Sequence, residues 1–276
     1  MKKDPSSTAQ DDKDVYVILS EAKNLRGSQN MEGQEPEADA LGQLKTIIQN
    51  AENILFFGGA GVSTESGIPD YRSSGGLYNL RYAHPPETML SYSFFVSHTG
   101  EFYRFYREKM LYPDAKPNRA HLALAELERR GKLKAVITQN IDGLHQAAGS
   151  LNVLELHGSA HRNYCMSCKM PHPLEAVIQA EDIPRCPCGG IIRPDVVMYE
   201  EGLDGNVMEK SVQAMLSADT LIIGGTSLNV YPAAGLIRYF RGAKLVLINK
   251  SETPEDGRAD LIIRQSIGEA LGTAIR

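Results

Sequence analysis

The strongest constraint on this chain is an apolar run that stops dead at glycine. Ile54-Leu-Phe-Phe57 leads straight into Gly58-Gly59-Ala60-Gly61. Four large apolar residues in a row suit a strand buried on both faces, as in a parallel sheet. The glycines let the backbone turn tightly and approach an anion. The design recurs at Thr220 to Gly224, which runs into Gly225-Thr-Ser227, and two more short apolar runs with polar ends lie at Ala135 to Thr138 and Leu245 to Asn249. Between these runs the apolar residues take helical spacing. Leu41, Leu44, Ile47 and Ile48 form one such set, and Ala120 to Arg130, Met208 to Ser217 and Ala233 to Phe240 hold others. The alternation predicts an α/β fold, a doubly wound parallel sheet whose ligands gather at the carboxyl ends of its strands.

Two stretches break the alternation. Residues 69 to 117 are long, irregular and aromatic, and residues 158 to 197 hold all four cysteines. Both are expected to form a smaller lobe inserted between strands of the main domain. Residues 1 to 38 are rich in Ser, Asp, Glu, Lys, Asn and Gln and read as a disordered or weakly ordered extension of a domain spanning 39 to 276. Met31 offers an alternative start, which mass spectrometry of the native N-terminus would decide.

Composition excludes some classes. The 276 residues carry 29 Lys and Arg against 34 Asp and Glu, a formal charge of -5. That balance disfavours nucleic acid as a direct partner. No apolar run reaches membrane-spanning length, and the stretch Val15 to Leu19 is too short for a secretory signal. The expected compartment is the cytoplasm, where thiols stay reduced and clustered cysteines point to metal. Cys165-x-x-Cys168 and Cys186-x-Cys188 match a four-thiolate structural zinc site, with Gly189 and Gly190 easing the tight second turn.

Several polar motifs sit at strand ends. Gly59-Ala-Gly-Val-Ser-Thr-Glu-Ser-Gly67 follows the first strand, but Thr64 stands where a dinucleotide fingerprint has its third glycine. A phosphate cradle ahead of a helix and a plain structural turn both remain open on that motif alone. Ile68-Pro-Asp-Tyr-Arg72 continues it, and Asp70 with Arg72 can position ribose and pyrophosphate or form a surface ion pair. Thr138-Gln-Asn-Ile-Asp-Gly-Leu-His145 clusters amides and a carboxylate at another strand end. His157 stands before Gly158, and an unperturbed histidine, with a pKa of about 6.5, suits a general base, although a lone histidine is more often structural. Gly225-Thr-Ser227 and Asn249-Lys250 end two further strands, where a second phosphate and a ribose hydroxyl could be held.

In this order and spacing, the motifs over about residues 41 to 276 resemble the sirtuin family, the NAD-dependent protein lysine deacylases, in their bacterial type. The resemblance implies a Rossmann-like doubly wound domain with a smaller zinc-binding and helical lobe. It implies NAD as co-substrate, one structural zinc on Cys165, Cys168, Cys186 and Cys188, and an acylated-lysine protein as partner. Catalysis would fall to His157, Asn140 and Asp142. The NAD site would comprise Gly59, Ala60, Gly61, Thr64, Asp70, Tyr71, Arg72, Gln139, Ile141, Asp142, His157, Gly225, Thr226, Ser227, Asn249, Lys250 and Ile267. Tyr71 replaces the phenylalanine usual in the family. The implied chemistry moves the acyl group from lysine to the nicotinamide ribose, His157 activating a ribose hydroxyl, with nicotinamide, free lysine and O-acyl-ADP-ribose as products. The peptide would add as a strand near Val196, Val197, Tyr199 and Glu200 on one side and Leu228, Asn229 and Val230 on the other.

Acyl choice follows from one departure. Succinyl- and malonyl-preferring members carry Tyr-x-x-Arg in the small lobe, whereas this chain has Tyr103-Arg-Phe-Tyr106. Without that cation a buried carboxylate is costly, and Arg107 points elsewhere on a helix, so an acetyl or uncharged longer acyl group is expected. The competing readings are mono-ADP-ribosyl transfer, a non-catalytic NAD-binding sensor, and a dehydrogenase. The imperfect fingerprint and the cysteine lobe argue against the last.

Overall fold

A computed structural model describes residues 35–71, 76 and 84–276. Most of the extension expected at the N-terminus, together with Arg72, lies outside the described residues. The first helix, α1, spans Glu35–Asn50 and so begins ahead of Leu41. The sequence at its start, Glu35-Pro-Glu-Ala-Asp39, carries the proline and acids that helix N-termini favour.

The strands β1 (Ile54–Gly58), β2 (Leu133–Thr138) and β3 (Val153–Glu155) come before a small-lobe trio, β4 (Gly158–Cys165), β5 (Pro171–His172) and β6 (Ile192–Val196). Strands β7 (Thr220–Gly224), β8 (Lys244–Ile248) and β9 (Leu261–Ile263) complete the large domain. Six strands form one parallel sheet in the order β3-β2-β1-β7-β8-β9. The chain winds outward from β1 to β3, then returns to the middle and winds the other way from β7 to β9. Strand order therefore reverses between β1 and β7, which opens a crevice at their carboxyl ends.

Side-chain alternation explains the layers. Ile54, Phe56, Ile222, Val246 and Ile248 point to one face, under α1, α5 (Arg119–Arg129) and α9 (Ile267–Ala274). Leu55, Phe57, Leu221, Ile223, Leu245 and Leu247 point to the other, under α8 (Gly205–Ser217). Phe56 and Phe57 are both fully buried, and each contributes on the order of 2 kcal/mol of transfer free energy. The pattern Ala233 to Phe240 forms a 3-10 helix over Ala233–Tyr239 rather than an α-helix. Gly235 weakens helical propensity there, and Pro232 precedes it.

The two irregular stretches share one core. Helices α2 (Pro86–Met89), α3 (Tyr92–Ser97) and α4 (Thr99–Lys109) bury Phe94, Phe95, Phe102 and Tyr106 against Cys165, Ile192, Met198 and Val177 of the short helix α7 (Glu175–Ile178). The second sheet, β5-β4-β6, is antiparallel and closes this lobe. Among the described residues no helix is long and apolar enough to cross a membrane.

Candidate active site

The crevice floor is made by two glycine turns that interlock. Gly61 N–H donates to the Gly225 carbonyl at 2.8 Å, and Gly59 N–H to the Gly224 carbonyl at 3.3 Å. Gly225 has φ +60, and a Cβ on it would lie 2.3 Å from the Val62 nitrogen. A Cβ on Gly61 would lie 2.7 Å from the Gly225 α-carbon. Only glycine fits either position, and the backbone itself lines the crevice. The first turn does not lead into a regular α-helix. It forms two short 3-10 turns, Ala60–Val62 and Thr64–Ser66. The Thr64 hydroxyl donates to the Gly61 carbonyl at 3.0 Å, and Gly67 at φ +85 ends the run just before Pro69. Local hydroxyl bonding and these breakers outcompete helix propagation.

Behind the turns a polar relay runs from β2. The Ser63 hydroxyl donates to Asp142 Oδ2 at 2.6 Å and accepts from Asn140 Nδ2 at 3.0 Å. Asp142 Oδ1 accepts the Leu144 N–H at 2.9 Å, the first amide of the short helix α6 (Leu144–Ala147). His161 Nε2 bonds the Asp142 carbonyl at 2.9 Å, so both the backbone and the side chain of Asp142 are held. Ser63, at 1% exposure, is the hinge of this relay. A serine inside a glycine loop gives no distinctive pattern, and only the fold brings Asn140 and Asp142 to it.

His157 lies between β3 and β4. Its Nδ1 bonds the Gln139 carbonyl at 2.8 Å. A carbonyl only accepts, so Nδ1 carries the proton and Nε2 keeps its lone pair. Burial holds this imidazole below its ordinary range, partly opposed by the Gln139 bond. The ring is thus neutral near neutral pH, with the Nε2 lone pair available to accept a proton. Gly158, at φ +74, makes the close turn behind it, where a Cβ would lie 2.0 Å from the Asp195 carbonyl oxygen. Gln139 also ties the two halves of the crevice, its Nε2 donating to Thr226 Oγ1 at 3.1 Å.

One cleft of about 970 Å³ joins these parts. Gly59, Ala60, Gly61 and Thr64 line it from the first turn, and Gly225, Thr226 and Ser227 from the second. Gln139, Asn140, Ile141 and His157 form its middle, Asp70 and Tyr71 one flank, and Asn249, Lys250 and Ile267 the far end. Asp142 lines a small adjoining recess that shares Ala60, Tyr71 and Asn140 with the cleft. Burial, with Tyr199, Asp142 and Tyr112 near it, keeps the Tyr71 phenol protonated. Ile267 packs its side chain against Gly224, where a Cβ would meet it at 2.0 Å. The predicted catalytic and NAD-site residues within the described set therefore all line this cleft or the adjoining recess.

The cleft continues between the two lobes along residues 196 to 201, with Val196, Val197, Tyr199 and Glu200 on one side and Asn229 and Val230 on the other. Leu228 differs: at 3% exposure its side chain belongs to the core under α8. The 196–201 segment is firmly anchored. The Tyr199 backbone bonds to Leu90 and Tyr92, and Glu200 holds the Ser93 N–H and hydroxyl at 2.9 and 2.8 Å. Arg193 bridges the Val196 carbonyl at 3.2 Å and Glu201 Oε2 at 2.5 Å, and the same carboxylate accepts the Met198 N–H at 3.0 Å. Phe102, Tyr106 and Met110 also line the cleft, and the motif reading did not single them out as site residues. Their spacing of four along a helix was the available signal.

The cysteines form a second centre in the small lobe. All four sulfurs lie within 4.8 Å of one another, with Cys165–Cys188, Cys168–Cys188 and Cys168–Cys186 at 3.4, 3.4 and 3.6 Å. A tetrahedron of Zn–S bonds of about 2.3 Å puts its sulfurs roughly 3.8 Å apart. The donor set therefore fits a structural zinc with no open position. Gly190 is obligatory beside it, since a Cβ there would sit 2.6 Å from the Cys165 sulfur.

Known proteins share this arrangement. The Sir2 family model matches residues 59–232. The chain is 61% identical over 241 residues to an NAD-dependent protein deacetylase of Clostridium acetobutylicum, covering 86% of this chain and 98% of that protein. It is 58% identical to one of Clostridium perfringens, covering 86% and 99%. Among solved structures, a chain described under the mechanism and regulation of Sir2 enzymes superposes with TM-score 0.78 at 38% identity, covering 86% of this chain and 96% of that one. A Sir2 chain solved with deacetylated p53 peptide and 3'-O-acetyl ADP ribose also reaches 0.78 at 38% identity, covering 85% and 97%.

Proposed function

The chain belongs to the Sir2 family, and from that premise we propose that it is an NAD-dependent protein lysine deacetylase in which His157 is the general base. The observation that carries the assignment of the base is the bond from His157 Nδ1 to the Gln139 carbonyl, which leaves Nε2 free in the cleft. The interlocked glycine turns at the switch point fit a dinucleotide, because they present backbone where a diphosphate must approach closely. When bound, NAD would supply an anomeric carbon for attack by the acyl oxygen with loss of nicotinamide, and a ribose hydroxyl that finally carries the acyl group. Asn140 and Asp142, fixed through Ser63, orient the nicotinamide end. Asp70, Arg72 and the turn residues Ala60, Thr64, Thr226 and Ser227 hold the diphosphate and its riboses, with Asn249, Lys250 and Ile267 at the adenosine end. His157, neutral and desolvated, takes the proton of a ribose hydroxyl.

The acylated peptide enters as a strand between residues 196–200 and 228–230, with the Arg193–Glu201 pair holding the first of these in place. The acyl group is uncharged. Arg107, the cation nearest in sequence, donates to the Asp182 carbonyl at 2.8 Å and lies 5.8 Å from the Tyr103 ring centre, so it is already engaged within the small lobe. The catalytic domain spans 39–276 with 1–38 as its extension, and the reaction belongs to the reducing cytoplasm, where the four thiolates keep their zinc. The test is incubation with NAD and an acetyl-lysine peptide. Release of nicotinamide together with O-acetyl-ADP-ribose supports the proposal. Nicotinamide release without deacetylated peptide would replace it with ADP-ribosyl transfer, and NAD binding without turnover would replace it with a sensor.

A further inference from the structure

Helix α4 and its C-cap set Phe102, Tyr106 and Met110 along one face, and all three line the cleft. The rings of Phe102 and Tyr106 stack with centroids 5.5 Å apart. Tyr106 is 1% exposed, and its hydroxyl has no hydrogen-bond partner among the described residues. The contrast with Tyr103 is direct, because that buried hydroxyl donates to the Ile192 carbonyl. A buried donor left unpaired costs free energy, and natural proteins retain few of them. Such a group persists without loss where a ligand supplies the missing acceptor, and it then discriminates against ligands that lack one.

The surroundings define the ligand. Phe102, Met110 and Leu90 make this part of the cleft apolar. Among the described residues the cations nearest this part of the cleft are engaged, Arg107 by the Asp182 carbonyl and Lys109 by Glu108, so a carboxylate on the acyl chain is disfavoured, whereas a neutral hydroxyl needs no cation. Burial, with Tyr103 and Tyr71 close by, pushes the Tyr106 phenol far above its ordinary range, so it remains an O–H donor at any working pH. We propose that Tyr106 is a specificity determinant that donates to a hydroxyl on the acyl chain, so that hydroxyacyl-lysines are preferred over unsubstituted chains of equal length. The inference rests on the deacylase reading and names its substrate class more narrowly.

The test uses one peptide sequence carrying propionyl-, lactyl-, butyryl- or 3-hydroxybutyryl-lysine, with acetyl-lysine as reference. In the full-length protein the hydroxylated member of at least one pair is expected to have about fivefold higher kcat/KM than its deoxy partner. Calorimetric affinities without NAD should favour the same member. In Tyr106→Phe that ratio should fall to about one, whatever happens to the absolute rates. The variant removes an unpaired buried hydroxyl and should melt no lower than the parent. Acetyl turnover with a hydroxyl-to-deoxy ratio of one or less in both pairs overturns the inference alone, as does a preference that survives Tyr106→Phe. Absence of turnover on every acyl peptide overturns the deacylase reading and this inference with it.

Discussion

His145 closes the Thr138–His145 motif yet lies outside the cleft, and it makes the fold sensitive to acid. It is 1% exposed, with its ring 4.7 Å from that of His121 and 6.2 Å from that of Phe56. Among the described residues neither of its nitrogens has a hydrogen-bond partner, and nor does His121 Nε2. His121 Nδ1 accepts the Asn118 N–H at 3.2 Å, which completes the cap of α5. Burial, then the neighbouring His121, hold the His145 imidazole down to about 3 from an ordinary 6.5. Burial lowers His121 as well, against the pull of Asp142 and Glu65. The folded state therefore prefers neutral rings, while the unfolded chain takes up protons near pH 6.5. Stability is complete above that pH and is lost as pH falls from 6.5 toward 3. One such group costs about 2 kcal/mol by about pH 5, and on the order of 5 kcal/mol once the folded-state value is passed. Denaturant titrations at about pH 7.5 and about pH 5 measure this directly, in the parent, His145→Phe and His145→Asn. The parent should lose roughly 2 kcal/mol more than either variant between the two conditions. Equal losses in all three proteins would refute the argument, since the acid sensitivity would then come from other groups.

Three further outcomes follow from close contacts. Gly158→Ala places a methyl 2.0 Å from the Asp195 carbonyl oxygen at a positive φ; it should cost about 3 kcal/mol or more in thermal or chemical melts, and a melt like the parent's would contradict the geometry. Cys165→Ser, or chelation, should unfold the small lobe and release one zinc per chain by atomic absorption; unchanged melting and metal content would dismiss the zinc centre. Glu201→Ala frees both Arg193 and the Met198 N–H, and it should raise the peptide KM about tenfold while kcat falls much less; an equal loss in both parameters would mean that the pair does more than hold the peptide-binding segment.

Much of the fold was legible because parallel strands buried on both faces read as short apolar runs. Thr220–Gly224 was read with its observed boundaries, and β1, β2 and β8 to within a residue or two. The site was legible where chemistry demands a particular residue. Gly61 and Gly225 cannot carry a side chain where their turns interlock, and four thiolates at short spacing have few other uses. Less legible were features set by contacts between distant segments. Ser63 acquires its role only when β2 delivers Asn140 and Asp142 beside it. The helix read at Ala233 to Phe240 became a 3-10 helix, and of the two readings left open after Gly61 the structure shows short 3-10 turns, because hydroxyls, glycine and proline locally outcompete α-helical bonding. The unpaired state of the Tyr106 hydroxyl is invisible without its neighbours.

The central claim is that a neutral His157, held by Gln139, is the base of an NAD-dependent deacetylation. It is tested most directly by following nicotinamide, O-acetyl-ADP-ribose and free peptide lysine together in the parent and in His157→Ala, with NAD affinity measured on both. The account predicts equimolar formation of the three products by the parent. In the variant, deacetylation should fall by at least about a hundredfold while NAD affinity stays within a few-fold of the parent's. Full deacetylation by His157→Ala, or nicotinamide release by the parent without lysine deacetylation, would contradict it.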